Sequence, residues 1–179
     1  MPTRRILRQL IALVGCWLAL SAVAASQQAS EYDVKAAMLL NFARFTDWPD
    51  HAGAATLPIC AVSNDAVANE MERVLKGKQV GQEPVEFKRV KSTNEARDCR
   101  VLFFTAAAYK ETKVILADNS LQGVLTVGES DSFLRMGGVL VFRTENDRIR
   151  FEVSLPARNR QNIRLSAKML SVASVVHSQ

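Results

Sequence analysis

Between residues 57 and 127 the chain alternates short apolar runs with longer amphipathic stretches, and this alternation restricts the fold more than any other feature. Leu57 to Val62, Val85 to Val90, Val101 to Phe104 and Gly123 to Val127 are too short for core helices and rich in β-branched or aromatic side chains, so they are predicted as strands. Asp65 to Lys76 is predicted as a helix with Val67, Met71, Val74 and Leu75 inward, followed by a turn around Gly77 to Gly81. Thr93 to Arg97 reads as a short helix and Ala106 to Ala117 as a longer one. Strands that alternate with helices build a largely parallel sheet covered on both faces. The expected class is α/β: a single three-layer domain with a mostly parallel central sheet flanked by helices.

Both ends of that core carry their own patterns. From Tyr32 to Trp48, residues Val34, Ala37, Met38, Phe42, Phe45 and Trp48 share a helical face with Asn41 among them, and Pro49 ends the helix. Asn41, if buried there, needs hydrogen-bond partners. Val139 to Arg143 and Arg148 to Leu155 alternate as two strands joined by Thr144-Glu145-Asn146-Asp147, so the sheet is expected to end in an antiparallel carboxy-terminal hairpin. Ile149, Phe151, Val153 and Leu155 then face one way, and Arg148, Arg150, Glu152 and Ser154 the other. From Leu165 onward, Met169, Val172 and Val176 make a closing helical stripe.

Residues 1–25 have the order of a cleavable signal peptide: Arg4, Arg5 and Arg8, the apolar run Leu10 to Leu20, then Ala22-Val23-Ala24-Ala25. The run is shorter than the roughly 20 apolar residues a membrane anchor needs, so the protein is not expected to span a membrane. Leu13-Val14-Gly15-Cys16 also resembles a lipoprotein box, and Thr3-Arg4-Arg5-Ile6-Leu7 a twin-arginine signal. Each route leads out of the cytoplasm. The mature domain is then residues 26–179. The whole chain has 23 basic and 18 acidic residues, and loss of three leader arginines leaves 20 against 18, so its basicity is no nucleic-acid footprint.

Export also fixes the cysteine arithmetic. Cys16 leaves with the leader, and Cys60 and Cys99 remain as an even pair in a disulfide-permissive compartment, each flanking an apolar strand. They are expected to bond, as a structural staple or as a redox-responsive lock.

Groups for catalysis are few. His51 lies in a loop and His177 near the carboxy terminus, without metal-ligand spacing. Gly128-Glu129-Ser130-Asp131-Ser132 lacks the second glycine of a nucleophile elbow, and Gly137-Gly138 is no dinucleotide fingerprint. No metal, cofactor or enzymatic activity is expected. Two polar features remain for recognition. Arg160, Arg164 and Lys168 are spaced by four and form a basic ridge if the last helix extends upstream, with Arg158 nearby. Glu152 is a lone carboxylate that shares the polar side of its strand with Arg148 and Arg150, either a cross-strand charge pair or a directional contact to a partner.

The block Lys35-Ala36-Ala37-Met38-Leu39-Leu40-Asn41-Phe42 through Phe45 to Trp48-Pro49 resembles the opening signature of the YfiR-like family of exported bacterial proteins. Further matches are Leu57-Pro58-Ile59-Cys60, Gly77-Lys78, Cys99 to Phe104, Leu125 to Ser130, Phe133, Gly137-Gly138, Arg150 to Val153 and Leu165 to Leu170. The resemblance implies a periplasmic repressor that binds the periplasmic domain of a YfiN-type inner-membrane diguanylate cyclase, lowering cyclic di-GMP and biofilm formation. It implies relief by a YfiB-type outer-membrane lipoprotein that sequesters the repressor, and it makes a homodimer plausible. Cys60 and Cys99 match the family's structural disulfide, whereas the second, close-spaced disulfide of some members has no cysteines here between Leu134 and Val141. Partner contacts are assigned to the hairpin region: Leu140, Phe142, Glu152 and Arg158. The alternative is a periplasmic small-molecule binding module built on Phe45, Trp48, Arg160, Arg164 and Lys168.

Overall fold

Helix α1 (residues 31–44) opens the computed structural model, which describes residues 31–49, 55–62, 66–118 and 120–179. The predicted leader with Cys16, His51 and the predicted helix start Asp65 lie outside the described residues. Helix α1 is rich in alanine, leucine and methionine, all strong helix formers. It stops earlier than predicted: the Thr46 hydroxyl donates to the Phe42 carbonyl (2.7 Å), and the chain turns into the two-residue strand β1 (Thr46–Asp47). Its buried face also differs. Lys35, Ala36, Leu39, Phe42 and Ala43 point inward, while Val34 and Asn41 are exposed, so Asn41 has no buried amide to satisfy.

The central strands follow: β2 (Leu57–Val62), α2 (Ala66–Leu75), β3 (Gln79–Val80), β4 (Glu83–Arg89), α3 (Thr93–Ala96), β5 (Val101–Phe104), a 3-10 turn (Ala106–Ala108), α4 (Tyr109–Ala117) and β6 (Leu125–Gly128). The chain closes with β7 (Leu140–Glu145), β8 (Arg148–Ser154), α5 (Leu155–Arg160), β9 (Arg164–Leu165), α6 (Ala167–Val172) and β10 (Val175–His177). One sheet runs β10-β8-β7-β6-β5-β2-β4-β3 and is parallel except at the β7–β8 and β3–β4 pairs; β1 and β9 form a separate antiparallel ribbon. Counted along the chain, β2, β4, β5, β6 and β7 lie in the order 2-1-3-4-5 of a doubly wound flavodoxin-like sheet.

Two apolar layers sandwich this sheet. On one face α1, α2, α5 and α6 bring Leu39, Phe42, Met71, Leu75, Ala157 and Met169 against Ile59, Phe103 and Val153. On the other, α3, α4 and the 129–138 segment bring Ala96, Ile115 and Phe133 against Leu102, Phe104 and Val141. Strands β5 and β6 are buried at every position, which is why they read as continuous apolar runs rather than alternating ones. The fold is therefore the three-layer α/β domain that the alternation predicts.

The last third departs from the sequence reading in three places. The hairpin loop is the two residues Asn146 and Asp147, at φ 49° and 58°, the left-handed pair that a tight twisted hairpin needs. Leu155 begins α5 instead of ending β8, because Ser154 accepts a hydrogen bond from the Ala157 amide (3.3 Å) and Pro156 suits a first helical turn. The predicted terminal helix is short: α6 ends at Val172, and the chain then extends into β10 beside β8, leaving Val172 and Val176 exposed.

Candidate functional site

Two ion-pair chains stand out, and the first lies where β5 and β6 end, the end of a doubly wound sheet at which ligands and partners are usually met. In the first, Lys35 projects inward from α1. Its ammonium meets Glu129 at 2.5 Å and Glu31, one helical turn earlier, at 2.6 Å, with the Lys35 and Glu129 side chains 8% and 9% exposed. Glu129 also accepts the Ala106 amide (3.0 Å), so one carboxylate ties α1 to the start of the α4 segment. The Lys35 ammonium lies 5.1 Å from the Tyr32 ring centroid and 5.8 Å from that of Phe142. These groups line a cleft of about 380 Å³ shared with Asp131, Arg143 and Thr144.

Burial alone would lower the Lys35 pKa, but the charges and hydrogen bonds of Glu129 and Glu31 outweigh it and raise it above the ordinary 10.5. A raised lysine contributes stability that is complete below its unfolded value and is lost as pH climbs through the folded one. Urea unfolding midpoints followed above about pH 10 should fall more steeply in the native protein than in Lys35→Met; equal slopes would show that this ion pair is energetically silent.

The second chain crosses the hairpin. Arg143 of β7 contacts Asp131 (2.6 Å) and one oxygen of Glu152 on β8 (2.7 Å), and His177 of β10 contacts the other Glu152 oxygen (2.8 Å). Burial would raise the Glu152 carboxyl, yet the hydrogen bonds and charges of Arg143 and His177 hold it below the usual carboxylate range. His177, which sequence placed only near the carboxy terminus, is thus tied to β8 through Glu152 at the outer edge of the sheet.

The predicted partner contacts separate. Leu140 and Phe142 are corrected to core residues, 0% and 4% exposed: inward register along β7 points Phe142 at Phe42 (ring centroids 5.7 Å) and Phe103 (6.1 Å). Leu140 offers a partner no surface in this conformation, and Phe142 only the part of its ring that lines the Lys35–Glu129 cleft. Glu152 is 16% exposed, and half-buried Arg158 on α5 donates to Asn159 (2.7 Å).

The proposed ligand residues also part. Phe45 and Lys168 come together, the ammonium 5.4 Å from the ring, beside a groove of about 320 Å³ between α1 and α6. Trp48 lines another cleft, of about 400 Å³, with Gly81 and Gln82. Arg160 and Arg164 line neither, and the expected basic ridge does not form. Asn162, at φ 53°, stops α5, so Arg160 ends one helix, Arg164 lies in β9 opposite Asp47, and Lys168 starts another helix.

Cys60, in β2, and Cys99, just before β5, are bonded with Cα atoms 5.9 Å apart, and both are 0% exposed. Among the described residues no group of three His, Cys, Asp or Glu is placed to hold a metal ion, and no helix is long and apolar enough to cross a membrane. Sequence reasoning missed the Lys35–Glu129 pair, whose partners are 94 residues apart.

The fold and its charge clusters define a doubly wound α/β domain whose site is organised by ion pairs between elements. Residues 32–174 match the YfiR/HmsC-like family model, and the chain belongs to that family. At family level this match supports a periplasmic regulator of diguanylate cyclase. No curated protein matches the chain.

Proposed function

We propose that this chain is exported through its cleaved leader and represses a membrane-bound diguanylate cyclase by binding the cyclase's periplasmic domain, with relief by an outer-membrane lipoprotein. The family match over residues 32–174 carries the reading. A binding domain on the far side of the membrane from the cyclase's nucleotide acts by stabilising one state of its partner over another. The hairpin side of the sheet supplies the surface: Glu152 gives direction, Arg158 lies on the neighbouring helix, and the exposed Val172 of α6 gives apolar area. Val172 takes the part that sequence assigned to Leu140 and Phe142.

Glu152→Lys places a cation beside Arg143 and reverses the contact. Cells carrying it should show cyclic di-GMP raised towards the level of a strain lacking the gene, at equal amounts of folded protein. Unchanged cyclic di-GMP would remove Glu152 from the interface.

The groove between α1 and α6 favours a second reading. Phe42, Phe45 and Phe151 wall it on the apolar side and Lys168 supplies a cation, a combination suited to an aromatic anion. Such a ligand would raise the melting temperature without any protein partner.

A further inference from the structure

Glu152 cannot meet a partner while its carboxylate is engaged as described, one oxygen on Arg143 and the other on His177. Arg143 belongs to the hairpin itself and stays. His177 belongs to β10, a strand of three residues that pairs along one side only, parallel to β8, with Val175 opposite Glu152 and His177 opposite Ser154. Parallel pairing is the less stable kind per residue. Val175 and Val176 remain 44% and 38% exposed, so β10 adds little apolar burial. Its tethers are the ladder, the His177–Glu152 contact, and Ser174, whose amide and hydroxyl both donate to the Phe151 carbonyl (2.9 and 3.0 Å). Segments held this way open far more often than the core they rest on.

We propose that β10 is a displaceable edge strand: when it leaves, the outer edge of β8 and the freed Glu152 carboxylate become the docking surface for an extended segment of the protein partner. The edge is already built to accept a strand, since β10 occupies it. An incoming segment would replace the ladder hydrogen bonds and pair a basic or hydroxyl side chain with Glu152. Competition with β10 then sets the affinity, because binding is weakened by the fraction of molecules in which the edge is covered. The inference rests on the reading of Glu152 as a partner contact.

Hydrogen exchange and binding test it together, with the cyclase's periplasmic domain as the probe. Amides of Val175 to His177 should exchange at least about 100-fold faster than those of β6. A chain ending at Ser174, and His177→Ala in the full chain, should both bind the periplasmic domain more tightly than the native protein. The gain on truncation should match the closed-to-open ratio that exchange gives for β10. A Ser154→Cys/His177→Cys staple, joining register partners, should weaken binding at least about tenfold when oxidised. His177→Ala keeps the test alive if the truncated chain does not fold. Core-like protection of β10, or equal affinity for native, His177→Ala and stapled proteins, overturns the strand proposal and leaves the repressor reading standing. If the native protein and every variant fail to bind, the repressor reading fails and this inference falls with it.

Discussion

Gly138→Ala should cost about 3 kcal/mol of folding stability although it adds a single methyl group. The Phe133 ring, 1% exposed, lies between the backbones of Gly128 and Gly138, and a Cβ on either glycine would overlap it. Neither glycine is in the left-handed region, so the backbone itself accepts alanine and the penalty comes from the ring alone. The ring has nowhere to go, since Phe104 packs against it at 5.4 Å between centroids. Phe133→Ala should by itself cost about 3–5 kcal/mol through the cavity it leaves. The double variant is the decisive one: with the ring gone, Gly138→Ala should cost less than about 1 kcal/mol, so the two changes are strongly non-additive. Urea unfolding of the four proteins gives this coupling, and additive costs would show that the glycines serve some other purpose.

Replacing Cys60 and Cys99 together by alanine should remove about 4 kcal/mol, since the bond closes a loop of 39 residues in the unfolded chain. For a domain of this size that lowers the melting temperature by roughly 8–16 °C. The bond links β2 to the entry of β5, neighbours at the point where the doubly wound order reverses, so it fastens the two halves of the sheet. Both sulfurs are shielded from solvent, which favours the staple over the redox lock. Dithiothreitol under native conditions should release no thiols faster than the protein unfolds. Rapid reduction with the fold intact would restore the lock.

The central layer was legible because β2, β5 and β6 are buried on both sides, and burial on both sides leaves an apolar run with one simple interpretation. Helix α1 was legible as a helix but not in its rotation. Lys35 and Thr46 occupy inward positions, and polar residues there shift the apparent apolar stripe by one residue, towards Val34 and Asn41. Residues 155–177 were the hardest. There the elements are only two to six residues long, with serine caps and a left-handed Asn162 as the punctuation, so a regular four-residue spacing of cations suggested a ridge that the turns break up. Alternation along β8 was read correctly, and it placed Glu152 on the face opposite Phe151 and Val153. On β7 the same logic puts Leu140 and Phe142 in the core, and their assignment to a partner set aside the inward register.

The candidate site was legible only in part for a different reason. Three of its pairs, Lys35 with Glu129, Asp131 with Arg143 and Glu152 with His177, join separate elements, and no local spacing encodes them. Glycines 128 and 138 carry a weaker signal: both flank a lone phenylalanine in a polar segment, and small residues around a buried ring mark a close approach.

Cyclic di-GMP in the native host, with the gene deleted and then restored in two forms, tests the repressor account most directly. The account predicts a rise on deletion, a return to the original level with the full-length chain, and no return with a chain starting at Ser26 that stays in the cytoplasm. Equal cyclic di-GMP in all of these strains, or repression by the cytoplasmic form, would contradict it.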